Sequence, residues 1–276
     1  MKPKKIVYIF FVVLIFCFIV IGWSFFIEPH IIKVERVSFE IKNLPSSFEE
    51  VKIVHLADFH SRNFGKREQK LLKIVDELNP DFIFITGDIV DWTARDFDSC
   101  QVFWKELSQD YEGRVFGVYG NHEHRNPRFS ILKNALKESK IEILDNESRK
   151  INVNEDFVYL IGVDDPHLGF DDIEKAMKDV EDGAPKILLA HSPEIFRKVK
   201  EMDIDLVLVG HTHGGQINIP WLVDFIIPLK YDKKYKRGLF KENSTYLYVN
   251  RGIGLVILPL RFNSFPEITL IKLTRP

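Results

Sequence analysis

The 276-residue sequence is short of the residues that staple a fold or mark a nucleic-acid partner. It has two cysteines, Cys17 inside a long apolar run and Cys100 alone in the body, so no disulfide is expected within the folded part and the compartment stays open. The body carries no lysine- and arginine-rich block, and the formal net charge is −2. Without a basic patch, no nucleic-acid partner is expected. Internal repeats, low-complexity tracts and Pro/Gly/Ser-rich linkers are also missing, which points to a single domain from about residue 31 onwards. One stretch lacks charge altogether. "IVYIFFVVLIFCFIVIGWSFFI", residues 6–27, has no charged side chain.

A helix of that length spans about 33 Å, enough for a hydrocarbon core of about 30 Å. A cleavable signal peptide has a shorter apolar region followed by small residues. Here the run is long and ends in Trp23, Phe25 and Phe26, aromatic side chains suited to a membrane interface. The chain therefore reads as a stub (1–5), a single-pass anchor (6–27), a membrane-proximal strand and linker (28–50), and a body (51–276). Lys2, Lys4 and Lys5 precede the span, while Lys33 and Arg36 follow it beside Glu28 and Glu35. That small excess of positive charge places the N-terminus in the cytoplasm and the body outside.

Beyond the anchor, "IIKVERVSFEIKNLP" alternates like a strand. "VKIVHLAD" follows as a strand. "REQKLLKIVDELNP" carries helical spacing at Leu71, Leu72, Val75 and Leu78, and Pro80 stops it. "DFIFITGD" is a continuous apolar run of the kind found in a sheet covered on both faces. Helices are expected over "DFDSCQVFWKELSQ", "RFSILKNALKES" and "DIEKAMKDVED". Strands are expected over "GRVFGVYGNHE", "PKILLAHSPE", "DLVLVGHTHGG", "TYLYVNRGIG" and "EITLIKL", with a hairpin over "KINVNEDFVYLIGVDD". Strand and helix alternate early and strands dominate late, so an α/β domain with buried mixed sheets is expected.

The polar residues fall at particular places. Five apolar strands each end in metal-capable side chains: Asp58 and His60; Asp88; Asn121 and His122; His191; His211 and His213. Sites in open α/β sheets form beyond the carboxyl ends of strands, so these groups can converge. Each cluster alone is weak, because a strand-terminal Asp is commonly a turn residue. His55, within a strand pattern, reads as a core histidine, and His30 as an interfacial one. His124 and His167 read as loop residues within reach of a substrate.

Taken in order, "DFH", "GDIVD", "GNHE", "AHSPE" and "GHTH" closely resemble the signature of the calcineurin-like metallophosphoesterases, over residues 50–274. "GHTHGGQ" and the tail resemble the membrane-associated or exported bacterial branch. The resemblance implies a four-layer α-β-β-α sandwich of two mixed sheets, here preceded by one transmembrane helix. It implies two divalent ions, for which seven N/O donors without thiolate suit Mn²⁺, Fe²⁺ or Zn²⁺. By resemblance, one ion is held by Asp58, His60, Asp88 and His213, and the other by Asp88, Asn121, His191 and His211. A hydroxide bridging the ions would attack phosphorus in line. His122 would protonate the leaving oxygen, and Asp91 would orient His122. Glu123 would support from behind. Arg62, Arg251 and Arg261 are candidates to bind the remaining phosphate charge, together with Asn121. In an extended stretch residues i and i+2 face one way, so His211 and His213 are expected to share a strand face, with Gly210, Gly214 and Gly215 easing a tight turn.

The expected activity is hydrolysis of a phosphodiester or pyrophosphate, with the anchor favouring a lipid-linked or envelope substrate. "IPWLVDFIIPLKYDKKYK", residues 219–236, could rest on lipid or wall the pocket, and reads equally well as an ordinary packed segment. One alternative is UDP-2,3-diacylglucosamine hydrolysis in lipid A synthesis, which conflicts with an outside body. Another is a catalytically silent metal-binding receptor, in which a ligand or the motif histidine would be lost; here all are present. No obligate protein partner is inferred.

Overall fold

Short, mostly apolar runs form the central strands, and their burial on both faces follows from what covers them. The strands at the sheet edges are more polar. The computed structural model describes residues 3–220, 222–230 and 232–276. Met1 and Lys2 of the expected stub, and Trp221 and Tyr231 of the 219–236 segment, lie outside the described residues. The elements run α1 (Pro3–Phe26), β1 (Lys33–Glu40), β2 (Lys52–Leu56), α2 (Lys66–Leu78), β3 (Phe82–Thr86), α3 (Phe97–Gln109) and β4 (Val115–Val118). They continue through α4 (Asn121–Arg125), α5 (Phe129–Glu138), β5 (Glu142–Ile143), β6 (Glu147–Val153), β7 (Asp156–Gly162), α6 (Ile173–Met177) and β8 (Lys186–Leu189). The chain ends with α7 (Phe196–Val199), β9 (Leu206–Val209), α8 (Val223–Ile226), β10 (Gly238–Glu242), β11 (Thr245–Val249) and β12 (Glu267–Thr274).

Two six-stranded mixed sheets result, ordered β1-β12-β2-β3-β4-β5 and β10-β11-β9-β8-β7-β6. β2, β3 and β4 are parallel neighbours in the first, as are β7, β8, β9 and β11 in the second. The sheets pack face to face through Phe39, Phe84, Val118, Leu160, Leu189, Leu208 and Ile271, all buried. The outer face of the first sheet is covered by α2, α3 and α5 through Leu71, Val75, Phe103, Trp104, Leu132 and Leu136. The second is covered by α6 and α7 through Ala176, Phe196 and Val199. This is the four-layer α-β-β-α arrangement. All five residues of β3 are buried because apolar layers lie on both its faces.

One expected element needs correction. The helix over "DIEKAMKDVED" is only five residues long: Asp172 caps it by accepting from the Lys175 amide, but Ala176 is its one buried residue, too little packing to extend it. Within the segment 28–50 the expected strand forms. β1 pairs in parallel with β12 from Lys33↔Glu267 to Glu40↔Thr274, so it is an edge strand of the body.

α1 has no buried residue over its most apolar window, whose mean hydropathy is 3.0, and the candidate span covers Lys4–His30. It is long and apolar enough to cross a membrane. Its C-terminal end docks on the body. The Arg261 amide donates to the Ser24 carbonyl at 3.0 Å. Buried Glu28 accepts from the Ser264 amide (2.6 Å) and the Trp23 indole (3.1 Å).

Candidate metal centre

The loops after β2, β3, β4, β8 and β9 meet at one end of the two sheets, where the strands point with their carboxyl ends. Asp58, His60, Asp88, Asn121, His122, His191, His211 and His213 come together there, each at most 6% exposed. Tertiary contacts rather than turn chemistry hold these loops. Asp58, His60, Asp88, His211 and His213 all have positive φ, between 46° and 70°, which costs a non-glycine residue of order 1 kcal/mol or more. The His211 amide donates to both carboxylate oxygens of Asp58, at 3.1 and 3.0 Å. The His122 amide donates to Asp88 Oδ1 at 2.8 Å. Glu123, fully buried, accepts from the amides of Gly120 (2.7 Å), Asp88 (2.9 Å) and Val90 (3.0 Å), tying the loops after β3 and β4 together. Burial and the Asp88 charge push its carboxyl up to about 8, against the pull of those amides.

Two groups of donors share Asp88. In one, His60 Nε2 lies 3.0 Å from His213 Nε2 and 3.6 Å from Asp88 Oδ2. In the other, His191 Nε2 lies 2.9 Å from His211 Nδ1, 3.2 Å from Asn121 Oδ1 and 3.3 Å from Asp88 Oδ2. Donor atoms within reach of a single ion occur as Asp58, His60 and His213, and as Asp88, His191 and His211; a third set comprises His60, Asp88 and His122. Burial holds His60, His211 and His213 well below the ordinary imidazole pKa, so they present lone pairs rather than charge. The other ring nitrogens of these three find no hydrogen-bond partner among the described residues. His191 Nδ1 faces the Thr86 carbonyl at 3.0 Å, which aims Nε2 at the cluster. Burial disfavours its charge, but Asp88 and Asp58 raise its pKa well above normal. Asp88 is likewise desolvated, yet His191 and His122 hold it well below the usual carboxylate range. Neutral imidazoles, carboxylates and an amide oxygen packed this closely, with no thiolate, fit divalent cations.

His211 and His213 reach the two groups by a route other than the extended one expected. His211 is left-handed (φ 70°), Thr212 right-handed (φ −82°) and His213 left-handed again (φ 51°), opening a 3-10 turn at His213–Gly215. Gly210 has a packing reason: a Cβ there would lie 2.7 Å from Ala57 Cβ and 2.8 Å from Asp58 Oδ2.

His122 Nε2 lies 3.9 Å from Asp88 Oδ2, beside the metal groups. The expected Asp91–His122 contact does not form. Asp91 accepts from the Thr93 amide and hydroxyl and from Arg62 Nη2 (3.0 Å). The Trp92 amide instead faces His122 Nδ1 at 3.3 Å. An amide can only donate, so Nδ1 accepts and the ring proton sits on Nε2. Burial lowers the pKa of His122, and the neutral ring still offers that proton.

The expected arginines divide. Arg62 is largely exposed at the mouth while held by Asp91. Arg251 is committed to ion pairs with Glu267 and Glu35, joining β12 to β1. Arg261 is fully buried and donates to the carbonyls of Arg251, Ser264, Gly252 and Gly254. Neither Arg251 nor Arg261 is oriented to meet a substrate; both brace the tail beneath the site. The sequence reading missed Arg125. It is exposed on α4 and lines a cavity of about 300 Å³ above Asp88, Asn121, His122, His211 and His213. Its only signal was its place three residues after His122. His167 lines the same cavity, its ring 4.6 Å from that of His211 and its Nδ1 3.2 Å from Glu194. His55 is a core residue, bonded to Thr86 Oγ1 at 2.9 Å, and His124 pairs with Asp164 at 2.6 Å.

Two adjoining nitrogen and oxygen donor sets bridged by one carboxylate, at the carboxyl ends of strands from two packed sheets, define a metal-dependent phosphoric ester hydrolase. The comparisons carry this to a family: residues 51–215 match the calcineurin-like phosphoesterases, and the chain belongs to them. It is similar to the uncharacterized metallophosphoesterase YkuE of Bacillus subtilis, 31% identical over 91% of this chain and 89% of that protein. It is 30% identical to an uncharacterized metallophosphoesterase of Aquifex aeolicus, over 94% and 98% of the two chains. A transmembrane protein with metallophosphoesterase domain from Danio rerio is 31% identical over 87% of this chain and 57% of its own length.

Proposed function

We propose that the protein is a membrane-anchored phosphoesterase that cleaves a phosphodiester or pyrophosphate bond, with one divalent ion on Asp58, His60, Asp88 and His213 and a second on Asp88, Asn121, His191 and His211. The observation that carries this reading is the pair of donor groups sharing Asp88, at 3.0 Å and 2.9 Å between facing imidazole nitrogens. When bound, two such ions supply Lewis acidity that activates water and neutralises charge on the phosphoryl group. The chain's own residues do the rest. Asn121 Oδ1 and the ring nitrogens fix the ions' positions. His122 holds its proton on Nε2, facing the cluster, and that N–H hydrogen-bonds the leaving oxygen and steadies the charge that develops on it. Arg125 faces the non-bridging oxygens from the cavity wall and orients the ester. Glu123 keeps the loops after β3 and β4 in register, so Asp88 and His122 keep their places beside one another.

The anchor supports a lipid-linked or envelope substrate, because α1 docks on the body through Glu28 and Arg261 and holds the site near the bilayer. The test is hydrolysis of bis-p-nitrophenyl phosphate by the full chain in detergent, with Mn²⁺, Fe²⁺, Co²⁺ or Zn²⁺ supplied in turn. Metal-dependent turnover is expected. Inactivity with all four ions would overturn the reading and leave a metal-binding receptor in its place.

A further inference from the structure

The sequence "GHTHGGQ" continues past its histidines to Gln216, and "LVILPL", residues 255–260, is an apolar run that the metal site does not use. The structure joins the two. Gln216 Nε2 donates to the carbonyls of Val256 (3.0 Å) and Leu258 (2.9 Å), and its Oε1 accepts from the Val256 amide (2.9 Å). The 256–258 loop is thus latched to the turn that carries His213. It is held in an unfavourable state. Ile257 is 97% exposed and has φ 61°, a left-handed conformation that a β-branched residue avoids. Leu258 beside it is 47% exposed. Apolar side chains this exposed, on a backbone fixed by its neighbours, indicate a surface meant for something apolar.

The anchor shows what that is. Three residues beyond Leu258, the Arg261 amide binds the end of α1 at Ser24. Pro29 and His30, at the C-terminal end of the candidate span, line a cavity of about 620 Å³ together with Leu255–Pro259. The lining also includes Arg62, Lys66 and Arg67, and the cavity reaches His60 of the metal centre. Arg62 is paired to Asp91 at 3.0 Å and Arg67 to Glu68 at 2.6 Å, so Lys66 is the cation of the three without an ion pair among the described residues. Lys70 of the same helix donates to the His30 carbonyl at 2.8 Å, so the basic turn of α2 sits against the membrane end of the anchor. Val256, Ile257 and Leu258 border both this cavity and the one beneath Arg125.

We propose that the loop 255–259 is seated in the lipid interface and that the cavity between it and the basic turn of α2 admits a phosphorylated amphiphile from the bilayer, its acyl part on Ile257 and Leu258 and its anionic head led by Lys66 and Arg62 towards the metal centre. This rests on the phosphoesterase reading for what happens to the head, and it names the substrate class. Apolar residues bounded by cations are the composition of an interfacial surface, and continuity with α1 fixes the loop at the right depth.

Two measurements test it on the full chain. In the first, Cys17→Ser protein with Ile257→Cys carries an environment-sensitive fluorophore; Cys100 is buried and stays unlabelled. In phosphatidylcholine nanodiscs, replacing the acyl chains by dibrominated ones should quench its emission at least twofold. Solvent-like, unquenched emission would overturn the proposal. In the second, dioctanoyl phosphatidic acid and glycerol 3-phosphate compete with bis-p-nitrophenyl phosphate. The acylated competitor should be at least tenfold stronger, and Ile257→Asp/Leu258→Asp should bring the two within twofold. Equal competition in the wild type sinks the amphiphile reading and leaves the phosphoesterase standing. Absence of bis-p-nitrophenyl phosphate turnover sinks the phosphoesterase reading, and the quenching still decides whether the loop meets lipid.

Discussion

Single side chains separate what binds metal from what meets the leaving oxygen. Asp88 belongs to both donor groups, so Asp88→Asn removes the shared charge; metal content measured by mass spectrometry should fall towards zero along with turnover. His122 contributes no atom to the assigned coordination, and His122→Ala should keep its metals while kcat falls by about 10²–10⁴. Asp91 is the informative contrast. The sequence pattern makes it the partner of His122, yet its carboxylate serves Thr93 and Arg62, and the Trp92 amide sets the ring's tautomer. Asp91→Asn should therefore lower kcat by less than about tenfold, the scale of a partly exposed ion pair. A loss equal to that of His122→Ala would restore the orienting role to Asp91.

Among the elements, the strands and the larger helices were legible because apolar runs and 3.6-residue spacing report burial directly. The strand-end positions of the metal-capable residues were legible for the same reason. The backbone at those ends was not. Nothing in "GHTH" announces two left-handed histidines, since the conformation is imposed by Asp58 receiving the His211 amide from 153 residues away. Arg251 and Arg261 misled because an arginine's sequence neighbours do not reveal a cage of carbonyls formed by a folded tail. β10, "GLFKE", has no apolar alternation of its own and exists because it pairs with β11. Gly210 tests the close packing of the β9 end on the β2 end. Gly210→Ala should cost about 1–3 kcal/mol by overpacking against Ala57 and Asp58, and should weaken metal retention, read by thermal melting and metal analysis.

The core of β2 carries a pH dependence of its own. Burial lowers the pKa of His55 from 6.5 to about 3. Below 6.5 the unfolded chain takes up a proton that the folded one refuses, so the stability this neutral ring contributes at higher pH is lost as pH falls towards 3. Relative to His55→Leu, which cannot titrate, the wild type should lose about 1.4 kcal/mol per pH unit between pH 6 and 4. Urea unfolding of the two proteins at matched pH isolates this slope, because their other titrating groups cancel. A parallel pair of curves would mean that His55 is protonated inside the fold.

For the molecule as a whole, the proposed anchoring by α1 raises the question of which side of a bilayer the site faces. α1 ends on the body through Ser24 and buried Glu28, and a spanning α1 would place the site on the side where the helix emerges after Phe26. The flanking charge counts enter through short segments only: Lys4 and Lys5 on one side with Lys2 of the sequence, and Lys33 and Arg36 on the other, both within β1. Because β1 is an edge strand of the folded body, its two cations belong to a folded domain, which gives them little weight in a charge count over short flanking segments. The body is therefore expected outside the cytoplasmic membrane. Protease added to intact cells or spheroplasts should degrade the body while a cytoplasmic marker survives. Protection of the body until the membrane is permeabilised would reverse the orientation, restrict substrates to those made on the cytoplasmic face, and raise the lipid A hydrolase alternative above the envelope reading.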